Sequence, residues 1–524
     1  MIGWWTFGHG ARAMIRVGLI LLCTALAAAQ HTATTAQDYA ERARELIGQA
    51  DAPSAERELR KAVELAPDNT EYLALLGAAL GMQHKLQESD QFFEKALRID
   101  PRDIATRRNL AWNQFVLGDL AAAKKNLNRV IRQKPDDGAA VLLLGMIAEE
   151  SKQYSTAIKV LESVADQVRL RPESMAALAR AYYYTGNRDK ARVTLDRIET
   201  QGADPASIFA AARVAVELTE LQLAETLFQS IWTSYPDTAK LGYALARVQY
   251  RAGKYSDSIA TLRRTIATHQ ESSEIHNLLG WCLFKTDDLK GAVAALDRAI
   301  ALDAGDESNY LDVGMMLLAG QHYEGAMAAA EKALEIAPDS YRAHRLKAQV
   351  EMKVGRPKDA EALYAHAVAV NPADADAIAG LATAQLDIGK TAAAEETLKK
   401  AIERLPREAL LYQAYGNMLL WGEGTTNPEA EARAVALLKK AEALDPSLAE
   451  AHYQLGKLAL RDDNVREAWR QLEAAVRLDP KSSKNHYGLA QVYRRLGRTA
   501  DAAREVQLFQ ALKSKEAVPR RGPA

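Results

Sequence analysis

Residues 307–340 read ESNYLDVGMMLLAGQHYEGAMAAAEKALEIAPDS, and the periodicity of this stretch decides the fold. Tyr310, Val313, Leu317 and Leu318 recur at helical spacing, Gly320 and Gln321 interrupt the run, and a second helical run continues to Ile336. Pro338 ends it, because proline cannot continue a helix and disfavours the α region in the residue before it. The stretch is a helical hairpin. Helices of about 12 to 14 residues are marginal alone in water, so such a hairpin must stack on neighbours.

The rest of the chain repeats it. Pro67, Pro101 and Pro135 are spaced like Pro338, Pro372 and Pro406, and counting back from each places unit starts at Ala36, Thr70, Ile104, Gly138, Pro172, Pro205, Ala239, Ser273, Glu307, Tyr341, Ala375, Ala409, Ala449 and Ser483. The eighth residue of every unit is Gly or Ala, as in Gly77, Gly145, Gly280 and Gly456. The twentieth is Ala or Ser, as in Ser89, Ala157, Ala292 and Ala468. Small side chains there let the two helices of a hairpin approach closely, and large residues at position 24, such as Phe93, Leu161, Phe228 and Tyr364, fill the space beside them.

Leu279-Gly280, Leu455-Gly456 and Ala326, Ala333 and Pro338 stand where the tetratricopeptide repeat family carries its Leu-Gly, its two alanines and its proline, and the chain resembles that family from about residue 36 to 510. Gln114, Gln249 and Gln385 at position 11 and Lys347 at position 7 depart from the family pattern. The resemblance implies an all-α, right-handed superhelical solenoid of about fourteen hairpins. Its concave face would be lined by the first helix of each hairpin, mainly at positions 2, 5, 9 and 12.

Position 9 then carries Trp112, Met146, Arg180, Arg213, Arg247, Trp281 and Met315 in successive units, so that three arginines are flanked by a Trp and a Met on each side. Positions 5 and 12 add Arg108, Phe115, Tyr183, Phe209, Tyr243, Tyr250 and Phe284. Guanidinium forks pair carboxylates and aromatic rings stack on apolar side chains. The groove from Arg108 to Phe284 is therefore the candidate site for an extended or helical protein segment, acidic and partly apolar. The competing reading is that several of these residues contact the neighbouring hairpin and that the arginines pair with acids such as Glu217. The C-terminal columns, with Ala379, Thr383, Gln413, Asn417, Lys457 and Gln491, are less aromatic and less charged. No three units supply the Lys, Asn and Arg set of the carboxylate clamp found in chaperone-binding members of the family.

Charge and composition narrow the function classes. The chain has 67 basic against 68 acidic residues, which provides no global basic field for nucleic acid. His276, His344, His452 and His486 all fall at position 4, where the family places a packing residue, so they do not read as a metal cluster. No His-Glu-x-x-His, paired cysteines or Gly-x-Ser-x-Gly is present, and the repeats leave no length for a catalytic domain. The expectation is a non-enzymatic scaffold without a cofactor.

At the N-terminus, VGLILLCTALA (residues 17–27) follows Arg12 and Arg16 and precedes Ala28 and Ala29. A run this short does not span a bilayer and matches a signal peptide, with cleavage expected after Ala29 and translation starting at Met1 or Met14. Lipidation at Cys23 is the rival, opposed by Leu22 where a small residue would stand. An exported, periplasmic or secreted protein follows, with no membrane span in the mature chain and Cys282 as its single thiol, which reads as a buried apolar residue. The domain plan is residues 1–29 as signal peptide, 30–35 as linker, 36–510 as solenoid and 511–524 as a disordered tail. WGEGTTNPE (residues 421–429) inserts six residues between the helices of the unit at Ala409, as a longer loop. Two other functions fit the same repeats. One is a structural subunit of a polysaccharide-export or outer-membrane assembly machine; the other is a glycan-binding protein stacking sugars on Trp112 and Trp281.

Overall fold

The computed structural model describes residues 35–268, 271–421 and 427–517, and these contain 29 helices and no strand. The segment expected to be the signal peptide lies outside the described residues, as do residues 518–524. The chain divides into two compact units, Met1–Gln270 and Glu271–Ala524, each built of antiparallel helical hairpins.

In the first unit the leading helices of the hairpins start at Ala36, Thr70, Ile104, Gly138, Pro172, Pro205 and Thr238. In the second they start at Ser273, Glu307, Tyr341, Ala375, Ala409, Ala449 and Ser483. Side-chain caps set most of these starts. Asp103 Oδ1 accepts from the amides of Ala105 and Thr106 at 2.9 and 3.1 Å, and Asp374 Oδ1 accepts from Ala377 at 3.1 Å. Pro172 and Pro205 occupy the first helical turn, where a missing amide costs nothing.

The turn inside each hairpin is equally regular. The fifteenth residue of the unit is left-handed in every hairpin whose turn is described, from Ala50 (φ 62°) and His84 (φ 59°) to Gly389 (φ 80°) and Gly497 (φ 72°). In the unit at Glu307 the left-handed residue is Gln321 (φ 64°), while its neighbour Gly320 has φ −79°. The break at these two residues is therefore made by the glutamine.

Close approach at position 8 is visible in what an added methyl would meet. A Cβ on Gly77 would lie 2.7 Å from the ring of Phe93, and one on Gly456 2.6 Å from Leu472 Cγ. Phe93 and Leu472 are fully buried position-24 residues, so each small residue is the seat of the large one across the hairpin.

Neighbouring hairpins are tied by ion pairs that recur in register. Glu56, Glu225 and Glu361, each at position 21, accept from Lys85, Lys254 and Lys390 at position 16 of the next unit, at 2.8, 2.7 and 2.7 Å. Arg108 and Arg345 at position 5 reach Asp137 and Asp374, the N-caps of the next hairpin, at 2.6 and 2.7 Å. In the second unit the exposed pair Lys481–Asp287, at 2.6 Å, joins hairpins far apart in sequence.

Three places depart from the repeat. The second helices Tyr154–Glu162, Arg188–Asp196 and Leu221–Ser230 have only 9, 9 and 10 residues, against 14 in Leu86–Ile99 or Leu120–Gln133. Where these helices stop, the short helix Ala165–Arg169 and non-helical side chains take over: Val168, Ile198 and Ile231 are buried, and Trp232 and Tyr235 pack on the same core, which runs unbroken from Leu142 to Val248. At the insertion, helix Pro428–Leu444 has 17 residues and begins three positions earlier than its counterparts, with Asn427 accepting from the amides of Glu429 and Ala430. Part of the six-residue insertion is thus helix and not loop, and residues 422–426 lie outside the described residues. The last helix, Thr499–Ala517, continues past residue 511, where a disordered tail was expected. Ala511 to Ala517 contains no Gly or Pro, and its Ala, Leu, Lys and Glu favour the helix, which runs to Ala517.

Candidate protein-binding face

The three position-9 arginines lie on the first helices Pro172–Tyr184, Pro205–Glu217 and Thr238–Arg251, and they have different fates. Arg180 is held between two acids: Nη1 lies 3.0 Å from Glu149 Oε1 and Nε 3.1 Å from Glu217 Oε2. Burial pushes the Glu149 carboxyl above its ordinary range, and the adjacent Arg180 guanidinium offsets this only in part. Glu217 also accepts from the Tyr184 hydroxyl at 2.9 Å. Arg180 therefore joins three successive hairpins and is not open to a ligand.

Arg213 and Arg247 are exposed, and neither has an acidic partner among the described residues. The guanidinium of Arg247 stands 5.5 Å over the ring of Tyr243, which is half-buried one helical turn before it. Tyr183, also half-buried, carries Arg188 over its ring at 5.4 Å and lines a small cleft of about 150 Å³ with Arg188, Arg192, Thr219 and Glu220. The face thus offers two guanidinium groups without an acid, one of which, Arg247, lies over the partly exposed ring of Tyr243.

Other expected site residues are structural. Phe209 is 6% exposed, stacked on Tyr235 at 4.7 Å and edge-on to Phe228 at 5.1 Å, so it belongs to the core and not to the groove. The reason is the short helix Leu221–Ser230, which leaves room for Tyr235 to fold back over the ring. Arg108 is likewise spent on Asp137, whose side chain is 3% exposed. Trp112 and Phe115 are half-buried, 5.8 Å apart, and pack on the core around Leu127 and Ile147. Tyr250 is half-buried with its ring 5.4 Å from Tyr255.

Trp281 and Phe284 belong to the second unit, in helix Ser273–Lys285, with rings 6.1 Å apart. Trp281 Nε1 donates to Asp312 Oδ2 at 3.1 Å, and Asn277 donates to the same oxygen at 2.8 Å. Burial pushes the Asp312 carboxyl up against these neutral donors. Cys282 is fully buried.

The position-4 histidines also have a structural task. His452 Nε2 and His486 Nε2 each donate, at 2.9 Å, to the carbonyl of the proline six residues earlier, Pro446 and Pro480. Arg107 and Tyr412 at the same position do so for Pro101 and Pro406. These side chains satisfy the carbonyl at the junction between hairpins. Among the described residues no three His, Cys, Asp or Glu side chains gather as a metal site, and no helix is long and apolar enough to cross a membrane.

The pairing of these arginines with acids such as Glu217 holds for Arg180. Its second partner, Glu149, comes from position 12 of the preceding hairpin, a diagonal that single columns do not display. A basic cluster at Lys457, Arg461, Arg494 and Arg495 is spread over positions 9, 12 and 13 of two hairpins, so no single column displays it.

The tetratricopeptide repeat family matches residues 40–104, 243–307 and 453–516 with one of its models and residues 82–147, 148–213 and 351–417 with another. The Protein CTR9 homolog of Arabidopsis thaliana is 21% identical over 288 residues, covering 52% of this chain and 26% of that protein. The BBSome complex member BBS4 homolog of Drosophila melanogaster is 21% identical over 304 residues, covering 48% of this chain and 61% of the relative. The alignments thus span less than two thirds of either relative's length. The crystal structure of yeast Tom70 superposes with a TM-score of 0.44 at 17% identity, covering 93% of this chain and 97% of that one. Family matches reach both units and most of the hairpins, and the chain belongs to the tetratricopeptide repeat family, a family of protein-interaction scaffolds.

Proposed function

We propose that the protein is a non-enzymatic interaction scaffold, exported to the periplasm or beyond, which holds an acidic and partly apolar protein segment on the first-helix face of its middle hairpins. The observation that carries this reading is the contrast among the position-9 arginines. Arg180 is neutralised by Glu149 and Glu217, whereas Arg213 and Arg247 are exposed without an acid. An unpaired guanidinium beside an aromatic ring is suited to a carboxylate and its aliphatic stem. Tyr243 supplies such a ring to Arg247.

Export is supported by the charged and apolar pattern of residues 12–29. Capture from an envelope extract tests the scaffold reading. The wild-type chain is expected to retain a specific partner that Arg213→Glu with Arg247→Glu loses, while retention of the same partner by that variant would refute the assigned face.

A further inference from the structure

Helices Ala449–Arg461 and Ser483–Arg495 are the first helices of the last two hairpins. Between them lies an open cavity of about 520 Å³, lined by Lys457, Leu460, Arg461, Gln491, Arg494 and Arg495. Four of the six lining residues are cationic and none is acidic. The register produces this: positions 9, 12 and 13 of one hairpin face the same positions of the next, so Lys457 and Arg461 stand across from Arg494 and Arg495.

The four cations are not equivalent. Arg461 Nη1 lies 2.6 Å from Glu431 Oε2, and Arg461 also pairs with Asp462. Arg495 Nη1 is 2.6 Å from Asp463. Lys457 and Arg494 are exposed and have no partner among the described residues. The cavity therefore holds two uncompensated positive charges beside the half-buried Leu460, with two further guanidinium groups anchored at its rim.

We propose that this cavity is a second binding site, which takes an acidic protein segment presenting two carboxylates, one to Lys457 and one to Arg494, with an apolar side chain against Leu460. Its volume falls within the roughly 300–1,000 Å³ of ligand sites, enough for a few side chains. A continuous phosphate backbone suits it less. Glu431, Asp462 and Asp463 border the cavity on the arginines they neutralise, and an unbroken line of phosphates would run against them. Spaced carboxylates meet only the two free cations. The site is independent of the middle face, since it uses different hairpins and no residue of that face.

The test is fluorescence anisotropy of the purified chain with a labelled peptide of about ten residues, rich in glutamate and containing leucine, and with a labelled oligonucleotide of similar charge. The peptide is expected to bind, and Lys457→Glu with Arg494→Glu to weaken it by about tenfold or more, with thermal melting unchanged because neither side chain has a partner to lose. Arg213→Glu with Arg247→Glu, on the middle face, is expected to leave at least this component of binding in place. Absence of peptide binding, equal binding by the Lys457/Arg494 variant, loss confined to the middle-face variant, or tighter binding of the oligonucleotide than of the peptide would overturn the proposal.

Discussion

Arg180 Nη1 lies 3.0 Å from Glu149 Oε1, a carboxylate whose side chain is only 5% exposed, and the pair ties the first helices of two successive hairpins together. Removing the cation strands a buried acid, a loss of about 3 kcal/mol or more for such a pair. Arg180→Met is expected to destabilise the hairpins between Gly138 and Glu217 by about that amount. Arg213→Met, with no partner to lose, should stay within about 0.5 kcal/mol of wild type. Hydrogen exchange of helices Gly138–Glu150 and Pro172–Tyr184 reads the difference directly, which suits an array whose hairpins open locally. Equal protection in the two variants would contradict the assignment of Arg180 as structural.

Phe209 shares Arg213's helix but faces inward. Phe209→Ala is expected to cost about 3–5 kcal/mol through the cavity it leaves against Phe228 and Tyr235. A loss of partner binding at unchanged stability would instead place the ring at the surface. Chemical denaturation monitored by near-ultraviolet dichroism checks this.

Thr219 makes the left-handed turn of its hairpin at φ 64°, which is costly for a β-branched residue. Glycine adopts that conformation without a Cβ clash and occupies the same turn position at Gly186 and Gly253. Thr219→Gly is expected to stabilise the hairpin by about 0.5–1 kcal/mol, the remainder after glycine's greater unfolded-chain entropy. A lower melting temperature in this variant would show that the threonine side chain contributes more than its backbone strain costs.

Asp90 links two hairpins by accepting from Asn113 Nδ2 at 2.8 Å, and Asn113 also donates to Ser89 Oγ at 2.9 Å. Burial, partly offset by the Asn113 hydrogen bond, pushes the Asp90 carboxyl up from 3.8 to about 6. The folded state therefore holds the proton more tightly than the unfolded chain does. This contribution to stability is fully present below pH 3.8 and is lost as pH rises through about 6. Asp90→Asn keeps an acceptor for Asn113 and cannot ionise. It should flatten this part of the pH dependence, measured as hydrogen-exchange protection of helices Leu86–Ile99 and Ile104–Val116 between these two values. An unchanged slope would mean that another group sets it.

The repeat was legible because a small residue at position 8 and a large one at 24 are a single contact written twice, as Gly77 and Phe93 show. The cap and turn positions were legible for the same reason, since each hairpin solves the same geometric problem. The binding face was legible only in part. A column predicts which way a side chain starts out, but whether it arrives at the surface depends on neighbours along diagonals. Glu149 and Glu217 reach Arg180 from adjacent hairpins, and Tyr235 covers Phe209 from a non-helical segment that the repeat pattern does not describe. The basic cavity at Lys457 and Arg494 was missed because it depends on two hairpins together.

The central claim is that Arg213 and Arg247 grip the carboxylates of a protein partner while Arg180 holds the scaffold together. The most direct measurement is the affinity of the captured partner for wild type, for Arg213→Glu with Arg247→Glu, and for Arg213→Lys with Arg247→Lys, at low and high salt. The account predicts a loss of about tenfold or more on charge reversal, a smaller loss with lysine, which keeps the charge without the fork, and weaker binding as salt rises. Equal affinity in all three proteins, independent of salt, would contradict it.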